Sequence, residues 1–388
     1  MMKVNASLLL LPLISAPLFA LDYDQSVEIS SALQLSDYPS VTEDGSTVIS
    51  GRTEWQGSLE GFWNLYLYSS ENTQLNARYG LSLQGETRRD FVGDDEASTA
   101  DYRAFDLDAL LLGSESDRTR LYQQLDQLSV TWYSNAGDYT LGRQPISFGL
   151  AKFYSPVDII YPFDLYATDT DYRPGVDALR GTWQLGALTE FDAGWVFGSD
   201  SVLFSRFKAS VNSIDAEAIV LAINGENLNF SLGTQTAIDE IGLWQETALL
   251  LDEDHHYLRT TLGADYTVLS DLYLVAEVHY NGAGARSGYD TNSAGNSFYQ
   301  LGAISTLGKW YASVQGSYPV NILTSVSSGI SVNLNDGSAL ANLALSVNAT
   351  DAMNVDLSAV LPLDDEHSYD SEFGLYPAYL LAEVSWVF

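Results

Sequence analysis

Apolar and polar residues alternate along this chain with a period of two. In 74–86, Leu75, Ala77, Tyr79, Leu81 and Leu83 are interleaved with Gln74, Asn76, Arg78, Gly80, Ser82, Gln84 and Glu86. Trp55, Leu59, Trp63, Leu65 and Leu67 stand in the same way against Gln56, Ser58, Glu60 and Asn64. The rhythm returns in Ala339, Ala341, Leu343, Leu345 and Val347 against Asn342, Ser346 and Asn348, and in Met353, Val355, Leu357, Ala359 and Leu361 against Asn354, Asp356 and Ser358. Successive side chains of a strand point to opposite faces, so each segment has one greasy and one wet side. The segments run about 9–13 residues, the length a tilted strand needs to cross the hydrocarbon layer. No stretch approaches about 18 consecutive apolar residues, so the pattern offers no helical membrane span. A soluble antiparallel protein would alternate similarly. It would also show continuous apolar runs for a dense core, whereas here small, amide or charged residues return along almost every segment.

The ends sharpen this picture. Met1-Met2-Lys3, an apolar run peaking at Leu8–Ile14, and Ala16-Pro17-Leu18-Phe19-Ala20 before Leu21-Asp22-Tyr23-Asp24 read as a secretory signal peptide. Its expected span is 1–20, although Leu18 is larger than the small residue usual two positions before a cleavage site. Residues 21–388 then form one all-β unit, a transmembrane antiparallel β-barrel. Turn signals separate roughly 18 to 20 candidate segments, and we expect about 18 strands with 16 as the alternative, since single-chain bacterial barrels have even counts. In the last strand Tyr376, Ala378, Leu380, Ala382, Val384, Trp386 and Phe388 share one face.

That strand, closing on Val384-Ser385-Trp386-Val387-Phe388, resembles the C-terminal signature of Gram-negative outer-membrane barrels. The resemblance implies location in the bacterial outer membrane and recognition of Phe388 by the barrel assembly machinery. More narrowly, Asn335-Asp336-Gly337-Ser338, Glu372-Phe373-Gly374 and Gly142-Arg143-Gln144 with Arg173-Pro174-Gly175-Val176-Asp177 are similar to the porin-like alginate-export type of barrel. Alternating sides back from Phe388 puts the connection 362–375 outside and the turn near Thr350-Asp351 in the periplasm. Continued, it puts the long Gly/Ser/Asn connection 282–296 in the periplasm too. Long connections belong outside, so the expectation is an error in the strands between 309 and 334.

Composition narrows the partners. Lys and Arg number 17 against 51 Asp and Glu, a formal charge of −34. Such a field repels nucleic acid, whose binding needs a basic footprint. With 24 Tyr, 15 Phe and 8 Trp, the chain is also far too aromatic for a disordered acidic tail. Cysteine is absent, which excludes disulfides, thiolate metal sites and covalent haem attachment, and no cofactor is expected. Much of the acid sits in presumed loops, Asp94-Asp95-Glu96, Asp252-Glu253-Asp254 and Asp364-Asp365-Glu366. These are hydrated charge runs, or carboxylates that bridge through divalent cations to lipopolysaccharide.

Charges on the wet faces carry the functional expectation, because lipid-facing charges are costly near the bilayer centre. Arg78, Arg180, Arg206, Lys208 and Arg259 fall there, with Glu60, Glu86, Glu190, Asp192, Asp265, Glu277 and Asp356. They either line a conducting path or pair across strands to stabilise the wall. Residues 142–180 differ in texture, combining Pro145, Pro156, Pro162 and Pro174 with Phe148, Phe153, Tyr154, Tyr161, Phe163, Tyr166 and Tyr172. A connection of that length with its own apolar residues is uncommon unless functional. We expect it to fold into the barrel and narrow it, with Arg143, Lys152 and Arg173 toward the permeant and Asp158 and Asp164 nearby. A loop packed on the outer rim is the plain alternative.

His255 and His256 beside Asp252-Glu253-Asp254 are weak metal candidates, since neighbouring strand positions point apart. His279 is followed by Tyr280 and Asn281, with no serine where outer-membrane phospholipases carry their nucleophile, so triad chemistry fails. Trp63, Tyr66, Tyr68, Trp195, Trp310, Tyr311 and Trp386 are candidates for interfacial girdles. The expected role is therefore a passive channel for small polar or charged solutes, as a monomer or a homo-oligomer. The rivals are a barrel sheathing an electron-transfer or export partner, an outer-membrane hydrolase, and a ligand-specific receptor.

Overall fold

In the computed structural model the described residues are 22–43, 46–49, 51–87, 102–105, 107–114, 117–162, 173–269, 271–289, 296–364 and 371–388. The expected signal peptide, the Asp94–Glu96 cluster, Asp164, and Asp365 and Glu366 lie outside them.

The strands are β1 (Asp22–Tyr38), β2 (Arg52–Ser70), β3 (Thr73–Glu86), β4 (Thr119–Ser134), β5 (Gly137–Gln144), β6 (Val176–Gly186), β7 (Thr189–Val196), β8 (Val202–Val211), β9 (Ile214–Ile223), β10 (Asn227–Ile238), β11 (Ile241–Leu251), β12 (His256–Val268), β13 (Leu272–Asn281), β14 (Trp310–Asn321), β15 (Thr324–Asn333), β16 (Ala339–Thr350), β17 (Met353–Leu363) and β18 (Ala378–Val387). Each pairs antiparallel with the next, and β1 closes on β18 with Glu28 opposite Val387 and Asp37 opposite Ala378. The fold is thus a closed 18-strand antiparallel β-barrel. Phe388 extends the seam: its N–H donates to the Val27 carbonyl at 2.8 Å and its carbonyl accepts from Val27 N at 3.0 Å. Closure satisfies every ladder and leaves no sheet edge, which a lipid-embedded sheet requires. The short strand Ala109–Leu112 hangs beside β4, and a small hairpin, Val41–Glu43 with Ser46–Ile49, decorates the first connection.

Strand length varies around the ring. β1 and β2 have 17 and 19 residues, whereas β5 and β7 have 8 each, so the wall is taller on the flank of β1 and β2. Tight turns at 71–72, 135–136, 187–188, 212–213, 239–240, 269–271, 322–323 and 351–352 gather at one end. In one of them Asn212 and Ser213 hold φ of 52° and 64°, the left-handed pair that a two-residue hairpin turn demands. Connections 39–51, 87–118, 145–175, 282–309 and 364–377 all lie at the other end, with the shorter 197–201, 224–226, 252–255 and 334–338.

The 282–309 connection sits with the other long ones, as its length requires, because two strands flank the turn at 322–323 and return the chain to that end. Two other expectations need correcting. The predicted 142–180 connection is 145–175, because Gly142–Gln144 end β5 and Val176–Arg180 begin β6. Tyr311 is fully buried against Tyr154 and Phe373 and belongs to no girdle, while Tyr66, Tyr68, Trp195 and Trp310 are exposed.

Leucines and valines such as Leu33, Leu59, Leu203, Leu232, Leu262, Val278, Leu343 and Leu380 face outward, exposed. Polar residues occupy the opposite face, but not everywhere. Phe204, Ile219, Leu221, Ile223 and Leu250, near the loop ends of β8, β9 and β11, point inward and are buried. They pack against Ile146, Phe148, Val157, Ile159 and Ile160 of the 145–175 connection, and against Tyr102. A core therefore forms inside the ring, and it is what draws that connection inward.

Candidate channel constriction

Residues 145–162 run across the inner face of the far wall, held by carboxylates from mid-strand positions. Glu246 of β11 accepts a short hydrogen bond from Leu150 N and another from Ser155 Oγ at 2.8 Å. Glu277 of β13 accepts from Lys152 N at 2.5 Å, Phe153 N at 3.0 Å and the Trp244 indole at 2.8 Å. Thr261 of β12 donates to the Tyr154 carbonyl at 2.7 Å. Both glutamates are buried, and their charge is met mostly by backbone N–H groups of the segment, the charge-assisted bonds that fix geometry most firmly. Gly149 makes the approach possible. Its φ is +108°, and a Cβ there would lie 2.4 Å from Ser155 Oγ and 3.0 Å from Glu246 Oε1.

The near end is fixed by arginines. Arg143 donates to Asp177 at 2.9 Å, to the Leu125 carbonyl at 2.8 Å and to the Phe105 carbonyl at 2.5 Å. At 3% exposure it is a strut beneath the segment, which corrects the expectation that it faces a permeant. The Asp177 carboxylate also accepts from Ala104 N at 2.8 Å, so part of the 87–118 connection is tied to the same post. Arg173 pairs closely with Asp158 and donates to the Tyr161 carbonyl at 2.7 Å, clasping the outgoing and returning limbs together.

Most of the expected wall charges pair across strands. Arg78 donates to Glu28 at 3.0 Å and Asn64 at 2.9 Å, lies 3.7 Å from Asp126, and stacks over Phe62. Glu60 accepts from Ser82 at 3.0 Å. Asp192 is buried and gathers Arg180 at 3.1 Å, Thr182 at 2.6 Å and Arg206, whose guanidinium also stacks over Phe148. Glu190 accepts from Gln184 at 2.7 Å. Lys208 stands in register between Glu190 and Glu217. Two cations differ: Lys152 is exposed and enters none of the ion pairs among the described residues. Arg259 is 3% exposed with Nε and Nη1 unpartnered among the described residues.

Cavities flank the segment. One of about 490 Å³ touches Lys152, Tyr154, Asp158, Arg173, Arg259, Gln315 and Ser331. The other, about 400 Å³, opens toward the short-turn end between Leu150, Gln184, Glu190, Lys208, Asp215 and Glu217.

Among the described residues His255, His256 and His279 form no metal site, and no nucleophile is aligned with them. His255 lies 3.5 Å from Asp252 and stacks on Tyr257, while His256 starts β12. Among the described residues no group of three His, Cys, Asp or Glu can hold an ion. Asp252 is spent capping its own turn, accepting from Asp254 N and His255 N. His279 is buried, 2.8 Å from Thr261 Oγ1 through Nδ1. Thr261 has one hydrogen, and the Tyr154 carbonyl, which can only accept, takes it; His279 therefore donates to the hydroxyl and is not placed to deprotonate it.

Glu246 escaped the sequence reading. Glu246 is preceded by Trp244 and followed by Ala248 and Leu250 on its own face, so no wet side marked it. Its signal was a carboxylate inside a strand that is apolar on both faces.

No family model matches this chain, and no curated protein matches it. Solved structures do. OccK5 (OpdH) of Pseudomonas aeruginosa superposes with a TM-score of 0.60 at 10% identity, over 95% of this chain and 98% of that one. OccAB4 of Acinetobacter baumannii gives 0.58 at 8% identity, over 94% and 98%. OccK8 (OprE) of Pseudomonas aeruginosa gives 0.57 at 9%, over 94% and 98%. The chain thus has the fold of bacterial outer-membrane porins. The narrower likeness to alginate-export barrels is not shown by these similarities.

Proposed function

We propose that this protein is a porin-type channel of the bacterial outer membrane through which small polar or charged solutes diffuse passively. The observation that carries the reading is the placement of residues 145–162. They are hydrogen-bonded to Glu246 and Glu277 at mid-strand and flanked by open cavities, so they narrow the bore without filling it. A barrel built as a sheath would present an unobstructed bore to its partner. A hydrolase would need an aligned nucleophile and base. On this reading exposed Lys152 meets the permeant, and buried Arg259 with the paired wall charges Arg78, Arg180, Arg206, Glu60, Glu190 and Asp192 shapes the field around it. Phe388 serves as the contact for the assembly machinery, and the acidic loops face lipopolysaccharide.

Purified protein in a planar lipid bilayer tests the proposal. Discrete, steady current steps that scale with salt are expected. Folded, inserted protein that stays electrically silent would favour the plugged sheath.

A further inference from the structure

Three arginines are buried among the described residues, and two of them meet an acid: Arg143 donates to Asp177 and Arg206 pairs with Asp192. Arg259, 3% exposed on β12, has no such partner, and its Nε and Nη1 make no hydrogen bond among the described residues. Its surroundings explain why. In register it stands between Ala248 of β11 and Asn281 of β13. The Asn281 amide is spent elsewhere, donating to Tyr299 Oη at 3.0 Å and the Thr306 carbonyl at 2.7 Å while its oxygen accepts from Ala283 N at 3.2 Å. On the arginine's own face, Thr261 gives its hydrogen to the Tyr154 carbonyl. Glu246 acts on Arg259 electrostatically but forms no ion pair with it, and its oxygens hold Leu150 N and Ser155 Oγ. Tyr299, Tyr311 and His279 also interact with it, and none is a carboxylate.

The same arginine lines the cavity of about 490 Å³. Three parts of the fold wall that space around it: β12 through Arg259, the inner segment through Ser147, Gly149 and Lys152, and the 282–309 connection through Ser305. Lys152 brings a second cation that enters no ion pair among the described residues, whereas Arg173 is already matched by Asp158. Taking a guanidinium out of water without an acid is costly, so the cavity carries positive charge that calls for an anion. A planar fork of N–H donors matches two oxygens of one anion, a geometry that chloride cannot offer. With a water occupying about 30 Å³ of liquid, the space admits a phosphate- or carboxylate-sized group together with several waters.

We propose that Arg259 and this cavity form a binding site for a compact oxyanion, which joins the barrel wall to the inner segment and to the 282–309 connection. The guanidinium takes the oxygens, and Lys152 balances the charge that is left. The segment is then held by an ionic contact in addition to its bonds with Glu246 and Glu277. Such an oxyanion comes either as a free inorganic ion or as the anionic group of a solute.

Inorganic phosphate and acetate are the probes, added to full-length wild-type protein in detergent at neutral pH against chloride of equal ionic strength. At least one of the two should bind saturably, one per barrel, in titration calorimetry. With that oxyanion at about 100 times its Kd, detachment of the segment should fall about 100-fold, read as slower hydrogen exchange of the Lys152 and Phe153 amides. Arg259→Met, which leaves no unpaired charge in the wall, should lose both the binding and the oxyanion-dependent protection. Arg259→Lys keeps the charge but not the fork and should bind more weakly than wild type. Tighter phosphate assigns the site to a free or esterified phosphate, and tighter acetate assigns it to the carboxylate of a solute; either supports the site. Chloride that protects as well as both oxyanions would reduce the effect to screening and overturn the proposal. So would wild-type protein that binds neither probe, a result that needs no variant, and so would binding that leaves the exchange of these amides unchanged. Neither readout uses current, so a silent bilayer would count against the channel and not against this site.

Discussion

Substituting Glu277 by Gln isolates what anchors the inner segment. The change keeps shape and leaves the β13 ladder intact, but replaces one acceptor oxygen by an NH₂ group. The carboxylate accepts three bonds, from Lys152 N, Phe153 N and Trp244 Nε1. Whichever way the amide is turned, at least one N–H of the segment or indole then faces another donor in a buried place. An unmade buried bond costs about 1–3 kcal/mol, more where a charge was involved, so the anchored population should fall by roughly 5- to 150-fold relative to detached forms. The Glu246 bonds remain, so detachment is partial and intermittent. Single-channel recording is the assay, with thermal unfolding in detergent as the control that the barrel persists. Glu277→Gln should show a larger mean conductance and added slow noise at an unchanged barrel melting temperature. A trace indistinguishable from wild type would mean that the segment does not limit the current or is not held by this carboxylate.

Other expectations follow from the same geometry. Gly149→Ala forces a Cβ against Ser155 Oγ at a φ that side chains avoid, and should give the noisy phenotype of Glu277→Gln with Glu246 and Glu277 both intact. Arg143→Met leaves Asp177 buried without its cation. It should lower stability by about 3–5 kcal/mol, read as a drop in the detergent unfolding midpoint, because breaking a buried pair from one side costs more than the pair is worth. Lys152→Glu reverses an exposed charge on the cavity that enters no ion pair among the described residues, and should move the zero-current potential in a salt gradient toward cation preference. Arg78→Gln, whose charge already stands against Glu28 and Asp126, should move it less.

The barrel was legible because lipid and water impose opposite demands on successive residues. The segments around 55–67, 74–86, 339–347 and 353–361 fall within β2, β3, β16 and β17, and the expected count of 18 is the observed one. Alternation fails where the inner face is dry. Phe204, Ile219, Leu221 and Leu250 face a peptide segment in place of water, so their strands read as apolar on both sides. Texture, together with the resemblance to porin-like barrels, pointed to 142–180 as a connection that folds inward. Its attachments were invisible, because Glu246 and Glu277 act through backbone amides, which no side-chain pattern reveals. The charges told half their story: phase assigned Arg78, Arg180 and Arg206 to the wet face but could not say that Asp126 and Asp192 already neutralise them.

The chain has no cysteine, so a single introduced thiol is an unambiguous probe of the bore. Lys152→Cys, recorded in a planar bilayer while a membrane-impermeant, positively charged thiol reagent is added, addresses the central claim most directly. If residues 145–162 line a water-filled passage, the reagent should react within the open channel and lower its conductance in one discrete step per barrel. A thiol that never reacts, or reacts without touching the current, would place Lys152 outside the conducting path and contradict the account.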